Sequence, residues 1–226
     1  MTQFHLIKPG TLTVGTYTGF APVTWRDDDG TARGRDIDLL RAFADKWNLN
    51  IVFHFFPFEQ LWQRPGNNEI DIATGGITPL ESRKTPGVVW SKPYYTVQRS
   101  LLIRATDREQ YKTMSDFSGK KIVVTTGSTA QLDTEQRKPT NACIIYYDGN
   151  QAEIVSQLLD GTIDAFAEGD ICSNYLATTC YPDQLAVTDV HPMNEPEHFV
   201  FAVREASGDH LLNALNTFIF DHCNDY

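Results

Sequence analysis

A short stretch at residues 71–83 combines a backbone that can approach a ligand closely with a side chain suited to anions. It contains two adjacent glycines, Gly75 and Gly76, followed by Thr78 and Arg83. Glycine has no Cβ, so the backbone there can lie directly against a bound molecule. Thr78 brings a hydroxyl, and the planar guanidinium of Arg83 brings five donors that match a carboxylate. The stretch therefore predicts one wall of a site for a small anion.

A second segment of similar character has the sequence TGST at residues 126–129 and precedes a predicted helix. Free amide groups at the N-terminus of a helix attract anions, so Thr129 is a candidate to assist Arg83 with a carboxylate. Simpler roles stay open for all of these residues. Thr78 and Thr129 can serve only as helix caps, and Arg83 can be a surface arginine that pairs with Glu81.

The bulk composition argues against several classes of function. The chain has 226 residues, a net charge of −10 and 41% apolar residues, which is enough for a packed core. The acidic balance disfavours a nucleic-acid partner, because nucleic-acid binders usually carry a basic face. No apolar run approaches the ~20 residues that span a membrane.

Metal and hydrolase chemistry have little support in the sequence. The six histidines and the four cysteines show no metal-binding spacing, so we expect no metal and no other cofactor. Ser128 has no recognisable His/Asp partner motif. Cys143, Cys172, Cys180 and Cys223 allow three full disulfide pairings, and free thiols are an equally good interpretation.

The elements that position these residues alternate between strand and helix, which predicts an α/β layer fold. The polar segment 107–118 separates two such alternations, so two α/β lobes of similar build are expected. The predicted strands lie at 11–17, 51–56, 70–77, 88–95, 99–104, 119–127, 143–147, 163–167 and 198–204. The predicted helices lie at 34–47, 58–63, 151–159, 171–177 and 209–222, with another from about 130.

Ten short motifs occur in an order that resembles the periplasmic solute-binding proteins of the polar amino-acid ABC transporter type (bacterial extracellular solute-binding proteins, family 3). They cover nearly the whole chain: VGT at 14–16, FAP at 20–22, DDG at 28–30, GRDIDL at 34–39, EID at 69–71, GIT at 76–78 with Arg83, WSKPYY at 90–95, GKKI at 119–122, TGST at 126–129 and GTIDA at 161–165.

This resemblance implies a two-lobed type II periplasmic-binding fold, in which each lobe is a mixed sheet flanked by helices. Lobe one would comprise residues 1–97 and 193–226, and lobe two residues 98–192. Two extended crossings, at 96–99 and 191–198, would form the hinge.

The function implied by the resemblance is non-catalytic. The protein would capture an amino acid or similar small amino-carboxylate between its lobes and deliver it to the membrane permease of an ABC importer. We expect a monomer in the periplasm or outside the cell. The start Met1-Thr2-Gln3 shows no secretory signal, which fits either a cytosolic protein or a mature domain without its leader. The alternatives are an enzyme similar to cyclohexadienyl dehydratase and a ligand-sensing domain of a membrane receptor.

The resemblance also implies site residues. Arg83, Thr78, Gly76 and Thr129 would hold the ligand α-carboxylate, and Phe20 and Phe58 would enclose its side chain, unless these two phenylalanines are core residues. Tyr17 is a weaker candidate, at a place where some binders of basic amino acids carry an acid. We therefore expect a neutral or polar ligand side chain, although Asp36 and Glu59 offer negative charge.

One departure concerns the ligand ammonium group. The family places an acid five residues after the aspartate of its Gly-x-x-Asp-Ala motif, and in this sequence that position is Gly169. Glu168 and Asp170 flank it, and we favour Asp170. Cys172 occupies the place where the dehydratases carry a glutamate. A cysteine does not perform the same acid chemistry, so we expect no enzymatic activity.

Overall fold

The structure, a computed structural model, describes residues 4–192 and 197–223, and these form two compact units. The first unit comprises residues 4–18, 23–96 and 198–223. The second comprises residues 19–22, 97–192 and Glu197. The second hinge crossing predicted at 191–198 lies partly outside the described residues, at 193–196.

Both units are built from short strands and helices. In chain order the strands are β1 (Thr11–Thr16), β2 (Gly19–Phe20), β3 (Thr24–Arg26), β4 (Ala32–Arg33), β5 (Asn50–Phe55), β6 (Ile72–Ile77), β7 (Val88–Trp90), β8 (Tyr95–Val97), β9 (Arg99–Arg104), β10 (Lys121–Thr125), β11 (Cys143–Tyr147), β12 (Ala165–Gly169), β13 (Leu185–His191) and β14 (Glu197–Arg204). The helices are α1 (Arg35–Lys46), α2 (Thr129–Arg137), α3 (Gln151–Asp160), α4 (Asp170–Tyr175) and α5 (Asp209–His222). Single 3-10 turns lie at Phe58–Gln60, Glu81–Arg83, Ala105–Asp107, Met114–Phe117 and Glu205–Ser207, and a π-helical turn at Leu176–Cys180.

The main sheet of the first unit has the strand order β5-β1-β6-β14-β7. Strand β1 pairs in parallel with β5 and β6, whereas β14 runs antiparallel to β6 and β7. Because β1 and β6 lie inside the sheet, both strands are almost wholly buried.

Helix α1 packs an apolar face into the core of the first unit. Ile37, Leu40 and Phe43 repeat at the spacing of one helical face, and all three are fully buried. The helix begins directly after Gly34, whose φ of 122° favours glycine. A Cβ at this position would lie 2.3 Å from the carbonyl oxygen of Val23. Gly34 therefore allows the start of α1 to approach the backbone at the beginning of β3 closely.

The sheet of the second unit has the strand order β11-β10-β12-β9-β13. Strand β10 is parallel to β11 and β12, and β9 is antiparallel to β12 and β13. Helices α2 and α3 connect the parallel strands. Ser128 caps α2 by accepting a hydrogen bond from the amide of Gln131, and Asn150 caps α3 through the amide of Ala152.

Three predicted elements differ from those observed. Of the helix predicted at 58–63, only Phe58–Gln60 is helical, as a 3-10 turn, since the segment between Pro57 and Pro65 is too short to propagate a stable α-helix. The extended run predicted at 88–95 divides into β7 and β8. Pro93 lies between these strands, and it has no amide hydrogen to donate to a neighbouring strand. The helix predicted at 171–177 begins one residue earlier and widens into the π-helical turn. Within the described residues, no helix combines the length and apolar character needed to cross a bilayer.

Candidate functional site

The candidate residues of the first unit lie where the strand order of its main sheet reverses. The chain leaves β1, passes through α1 and adds β5 on one side, and it then returns to add β6 on the other side of β1. In sheets of this kind, ligands bind outside the carboxyl ends of the strands at the point where the order reverses. Tyr17 directly follows β1 and Thr78 directly follows β6. The topology therefore brings these two sequence-predicted residues to the same edge.

Arg83 is held at this edge by its own local turn. It ends the 3-10 turn Glu81–Arg83, and its Nη1 donates a hydrogen bond of 2.9 Å to the carbonyl oxygen of Thr78. The side chain is buried, with 3% of the residue exposed. The predicted alternative, a surface arginine paired with Glu81, does not describe this geometry, because the ion pair of Glu81 is with Lys84 at 2.7 Å. Arg83 is a fixed, buried cation beside Thr78.

Aromatic rings surround the guanidinium of Arg83. Its Cζ lies 4.6 Å from the ring centroid of Trp62 and 5.4 Å from that of Phe58. The Phe58 ring in turn packs edge-on against Tyr17, at 5.8 Å between centroids. The structure thus brings together four predicted residues, Arg83, Thr78, Phe58 and Tyr17, and adds Trp62. The aromatic-rich segment 55–62 was the available sequence signal for Trp62.

Asp36, another predicted ligand residue, lies in the interior of the first unit. It is fully buried, and its Oδ2 accepts hydrogen bonds of 2.6 Å from the hydroxyls of both Thr74 and Tyr94. Burial raises the pKa of Asp36, against the opposing effects of these two hydrogen bonds and of the Gly76 amide. Asp36 thus restrains the segment 74–76 through the Thr74 hydroxyl and the Gly76 amide.

The second unit has its own reversal of strand order, between β10 and β12. Strand β10 leads through α2 to β11 on one side, and α3 then returns the chain to β12 on the other. Residues 126–129 follow β10, and Asp170 follows β12. Since Ser128 provides the cap of α2, the Thr129 hydroxyl is not needed for capping. It donates instead to the carboxylate of Glu197.

The two acids that flank Gly169 have different surroundings. Glu168 is buried, and it accepts hydrogen bonds from the Thr125 hydroxyl at 3.0 Å and from the Gly169 amide at 2.9 Å. Burial raises the pKa of Glu168, and the nearby Arg99 guanidinium opposes this rise. Asp170 is half-buried, and its Oδ1 accepts a hydrogen bond of 2.9 Å from the amide of Gln98.

Gly169 itself cannot be replaced by a larger residue without movement of its neighbours. A Cβ there would lie 2.8 Å from Cγ2 of Val97, 3.4 Å from Nη2 of Arg99 and 3.6 Å from Cζ of Phe20. The side chains of Val97, Arg99 and Phe20 therefore pack closely around the position where the family carries an acid. Phe20 lies in this environment within the second unit.

Two buried charged residues at this edge were missed by the sequence reasoning. The Nε of Arg99 lies 3.0 Å from Oε2 of Glu197, and both side chains are almost completely buried. Glu197 opens β14, far along the chain from Thr129, and no local pattern marks it. Only the tertiary structure could reveal this pair.

Cys172 lies in the interior of the second unit. It is fully buried, and the side-chain amide of Gln151 donates to its sulfur at 2.7 Å. Burial raises the pKa of this thiol well above its usual value. A buried neutral thiol offers no acid group of ordinary strength. Among residues 4–192 and 197–223, all four cysteines are free, and no group of His, Cys, Asp and Glu side chains is arranged to hold a metal ion.

Comparison with known proteins agrees with this architecture. The chain is 26% identical to a probable histidine-binding protein of Neisseria gonorrhoeae over 197 residues, which is 85% of this chain and 70% of that protein. It is 25% identical to the histidine-binding periplasmic protein of Escherichia coli (strain K12) over 167 residues, which is 74% of this chain and 63% of that protein. The chain thus matches 63–70% of the length of these two curated relatives.

A solved structure of an ancestral arginine-binding protein bound to arginine is also similar. It has a TM-score of 0.81 and 26% sequence identity, and the match covers 94% of this chain and 92% of that one. This likeness confirms the predicted type II periplasmic-binding fold. The family model of the bacterial extracellular solute-binding proteins, family 3, matches residues 12–225. The match extends over nearly the whole chain, and the chain therefore belongs to the bacterial extracellular solute-binding proteins, family 3.

Proposed function

We propose that this protein binds a free amino acid reversibly outside the cytoplasm, leaves it chemically unchanged, and passes it to the membrane permease of an ABC importer. The observation that carries the proposal is the buried guanidinium of Arg83, held beside Thr78 at the carboxyl edge of β1 and β6. This is the edge at which parallel α/β sheets bind their ligands.

The geometry of Arg83 suits a carboxylate. A guanidinium donates in a planar fork, and its hydrogen bond to the Thr78 carbonyl fixes one Nη group and with it the plane of the fork. Stacking on Trp62 restrains the plane further. A preorganised fork loses little conformational freedom on binding, and this favours affinity. We propose that the ligand α-carboxylate binds here, with Thr78 and Gly76 beside it.

The two units provide the two lobes of the fold in this proposal, with boundaries close to residues 97 and 193. Thr129 is the predicted carboxylate-binding residue of the second lobe. Phe58 and Tyr17 would contact the ligand side chain from the first lobe, and Phe20 from the second. Glu168 and Asp170 are the predicted candidates for the ammonium group.

The relatives narrow the choice of ligand. The two curated relatives are named for histidine, and the ancestral protein binds arginine. All are named as binding proteins, which supports a carrier without catalytic activity. Histidine, arginine and amino acids with neutral polar side chains are therefore the first ligands to test.

A thermal-shift screen of the twenty standard amino acids tests the proposal. A ligand at a thousand times its dissociation constant should stabilise the native state by ~4 kcal/mol, which appears as a clear rise in melting temperature. Isothermal titration calorimetry then gives the affinity of each hit. A protein that folds and binds none of the amino acids would refute the proposal. Conversion of prephenate or arogenate to a product would contradict the proposal that the protein leaves its ligand chemically unchanged.

A further inference from the structure

A surface pocket of the first unit lies between helix α5 and the loop that joins β7 to β8. Its volume is about 640 Å³, which is within the range of sites for small organic molecules. The loop contributes Lys92 and Pro93, and the helix contributes Asn213, Asn216, Thr217 and Phe220. None of these is a predicted ligand residue, so the pocket is a separate feature from the candidate amino-acid site.

The α5 side of the pocket is one face of the helix. Its residues follow the spacing i, i+3, i+4, i+7, and they are Asn213, Asn216, Thr217 and Phe220. The core face of α5 is a different stripe of the same helix. Phe220 exposes 67% of its surface, more than any other large hydrophobic residue that the structure describes. A ligand with an apolar surface would gain free energy by covering this ring.

Hydrogen bonds hold the loop side of the pocket in place. The amide of Lys92 donates to Oδ1 of Asn216 at 2.7 Å, and this contact ties the loop to α5. On either side of Lys92, the amides of Ser91 and Tyr94 donate to carbonyl oxygens of β14, both at 3.0 Å. The two walls are therefore fixed before a ligand arrives, which lowers the cost of ordering them on binding.

The charge of the pocket favours an anion. Among the residues that the structure describes, no acid lines the pocket, and Lys92 has no ion pair. Asp221, which follows Phe220 in α5, is paired with Lys46 at 3.5 Å. The Cys223 thiol also lines the pocket, and burial raises its pKa, so it adds no negative charge at neutral pH. In a protein with a net charge of −10, this pocket thus carries a local positive charge.

We propose that this pocket binds a small organic anion, whose carboxylate contacts Lys92 and Asn216 and whose apolar body covers Phe220 and Pro93. The Nζ of Lys92 supplies the charge. Asn216 uses its oxygen for the Lys92 amide, so its NH₂ group remains as a second donor. This site goes beyond the proposed function and does not depend on it.

Phenylacetate is the probe, because it joins a carboxylate to one aromatic ring. Its titration into the full chain is followed by two-dimensional amide NMR spectra. We expect saturable shifts of the Asn216 side-chain amide and the Phe220 backbone amide, with a dissociation constant of ~1–10 mM, the range for a ligand of this size. Phenylacetamide has no charge and should bind ~3- to 5-fold more weakly. Acetate has no ring and should bind at least ~10-fold more weakly.

Variants assign the two contacts separately. Lys92→Gln should weaken phenylacetate ~3- to 5-fold and leave phenylacetamide within about two-fold of wild type, whereas Lys92→Arg keeps the charge and should retain the affinity. Phe220→Ser should weaken both compounds at least ~5-fold. Lys84→Gln and Leu132→Ser replace an exposed lysine and an exposed apolar residue outside the pocket. Both controls should leave the affinity within about two-fold of wild type.

Three results would overturn the inference. They are the absence of saturable shifts up to ~50 mM phenylacetate, equal affinities for phenylacetate and phenylacetamide, and loss of the shifts in Arg83→Ala. The last result would place the probe at the candidate amino-acid site. Lys92 and Phe220 are exposed, so their variants should fold, and circular dichroism checks every variant. Amino-acid binding is measured independently, so failure of this inference leaves the proposed function unchanged.

Discussion

The hydroxyl of Tyr94 donates a hydrogen bond of 2.6 Å to the carboxylate of Asp36, and both residues are buried. Removal of this hydroxyl in Tyr94→Phe leaves a buried carboxylate with one donor fewer. The expected cost is ~1–3 kcal/mol in the free energy of unfolding, the usual penalty for an unsatisfied buried polar group. Urea denaturation followed by circular dichroism measures it.

Tyr146→Phe is the matched control for that experiment. The Tyr146 hydroxyl also hydrogen-bonds a carboxylate, that of Glu135 at 3.0 Å, but its side chain is exposed. Its loss should change the free energy of unfolding by less than ~0.5 kcal/mol. Equal effects of the two variants would show that burial of the Asp36 carboxylate has no energetic consequence.

The buried Glu168 makes stability depend on pH. Burial raises its pKa in the folded protein above the ordinary value of 4.5. Between 4.5 and the raised pKa, the folded state binds more protons than the unfolded state, so the free energy of unfolding contributed by this group falls as pH rises. Glu168→Gln does not titrate and lacks this decline. Its stability relative to wild type should therefore increase with pH.

Urea denaturation of both proteins at pH 4.5 and pH 7.5 tests this expectation. The glutamine of Glu168→Gln keeps only one of the two accepting oxygens that Thr125 and the Gly169 amide use, and this change adds an offset that does not depend on pH. The two charged neighbours of Glu168, Glu197 and Arg99, remain in both proteins. A relative stability that is constant, or that falls with pH, would contradict the prediction.

Replacement of Arg83 should affect binding far more than any neighbouring charge. Arg83→Ala removes the guanidinium that we propose for the ligand carboxylate, and we expect at least ~100-fold weaker binding of the amino acid, equivalent to ~3 kcal/mol. Arg83→Lys keeps a positive charge without the planar fork and should recover only part of the affinity. Isothermal titration calorimetry provides the measurement.

Lys84→Ala, at the adjacent residue, is the control for Arg83→Ala. Lys84 is exposed and pairs with Glu81 across a solvent-facing turn. Its replacement should leave the affinity within about two-fold of wild type, because surface ion pairs contribute little. Affinity retained in Arg83→Ala would show that the carboxylate binds elsewhere.

Gly34→Ala should destabilise the first unit more than Gly10→Ala. Both glycines have positive φ, 122° and 73°, so both substitutions carry backbone strain. A Cβ at Gly34 would lie 2.3 Å from the carbonyl oxygen of Val23, whereas a Cβ at Gly10 has nothing within 4 Å. We expect ~1 kcal/mol for Gly10→Ala and several-fold more for Gly34→Ala. Similar denaturation midpoints for the two variants would contradict the steric explanation.

The thiols should react in the order of their exposure. Cys143 and Cys180 are exposed, whereas Cys172 is fully buried and burial raises its pKa. Alkylation at neutral pH followed by mass spectrometry should label Cys172 at least ~100-fold more slowly than the exposed pair, because labelling of a core thiol needs an opening of the structure. Rapid labelling of Cys172 in the native protein would contradict its placement.

The sequence predicted those parts of the molecule that local patterns determine. The 3–4 spacing of Ile37, Leu40 and Phe43 identified α1, and the apolar run before Thr78 identified β6. The family motifs also pointed to Arg83. The structure places Arg83 beside Thr78, as the prediction of a shared site requires. Its role in binding remains a prediction.

The remaining features depend on contacts between distant segments. Glu197 meets Thr129 across 68 residues, and no spacing rule connects them. An acid in the first turn of a helix, such as Asp36, usually faces solvent, and only its tertiary partners Thr74 and Tyr94 explain its burial. The lobe boundaries and the assignment of the ammonium-binding acid stay predictions for the same reason.

The position of β14 between β6 and β7 determines when the first unit can be completed on the ribosome. Strand β7 ends at Trp90 and joins the sheet through β14, which begins at Glu197. At ~5–20 residues per second, β7 waits roughly 5–20 s for this partner. The second unit is nearly continuous in the chain and can form during that interval. We therefore expect nascent chains that lack β14 to contain a folded second unit beside an incomplete first one.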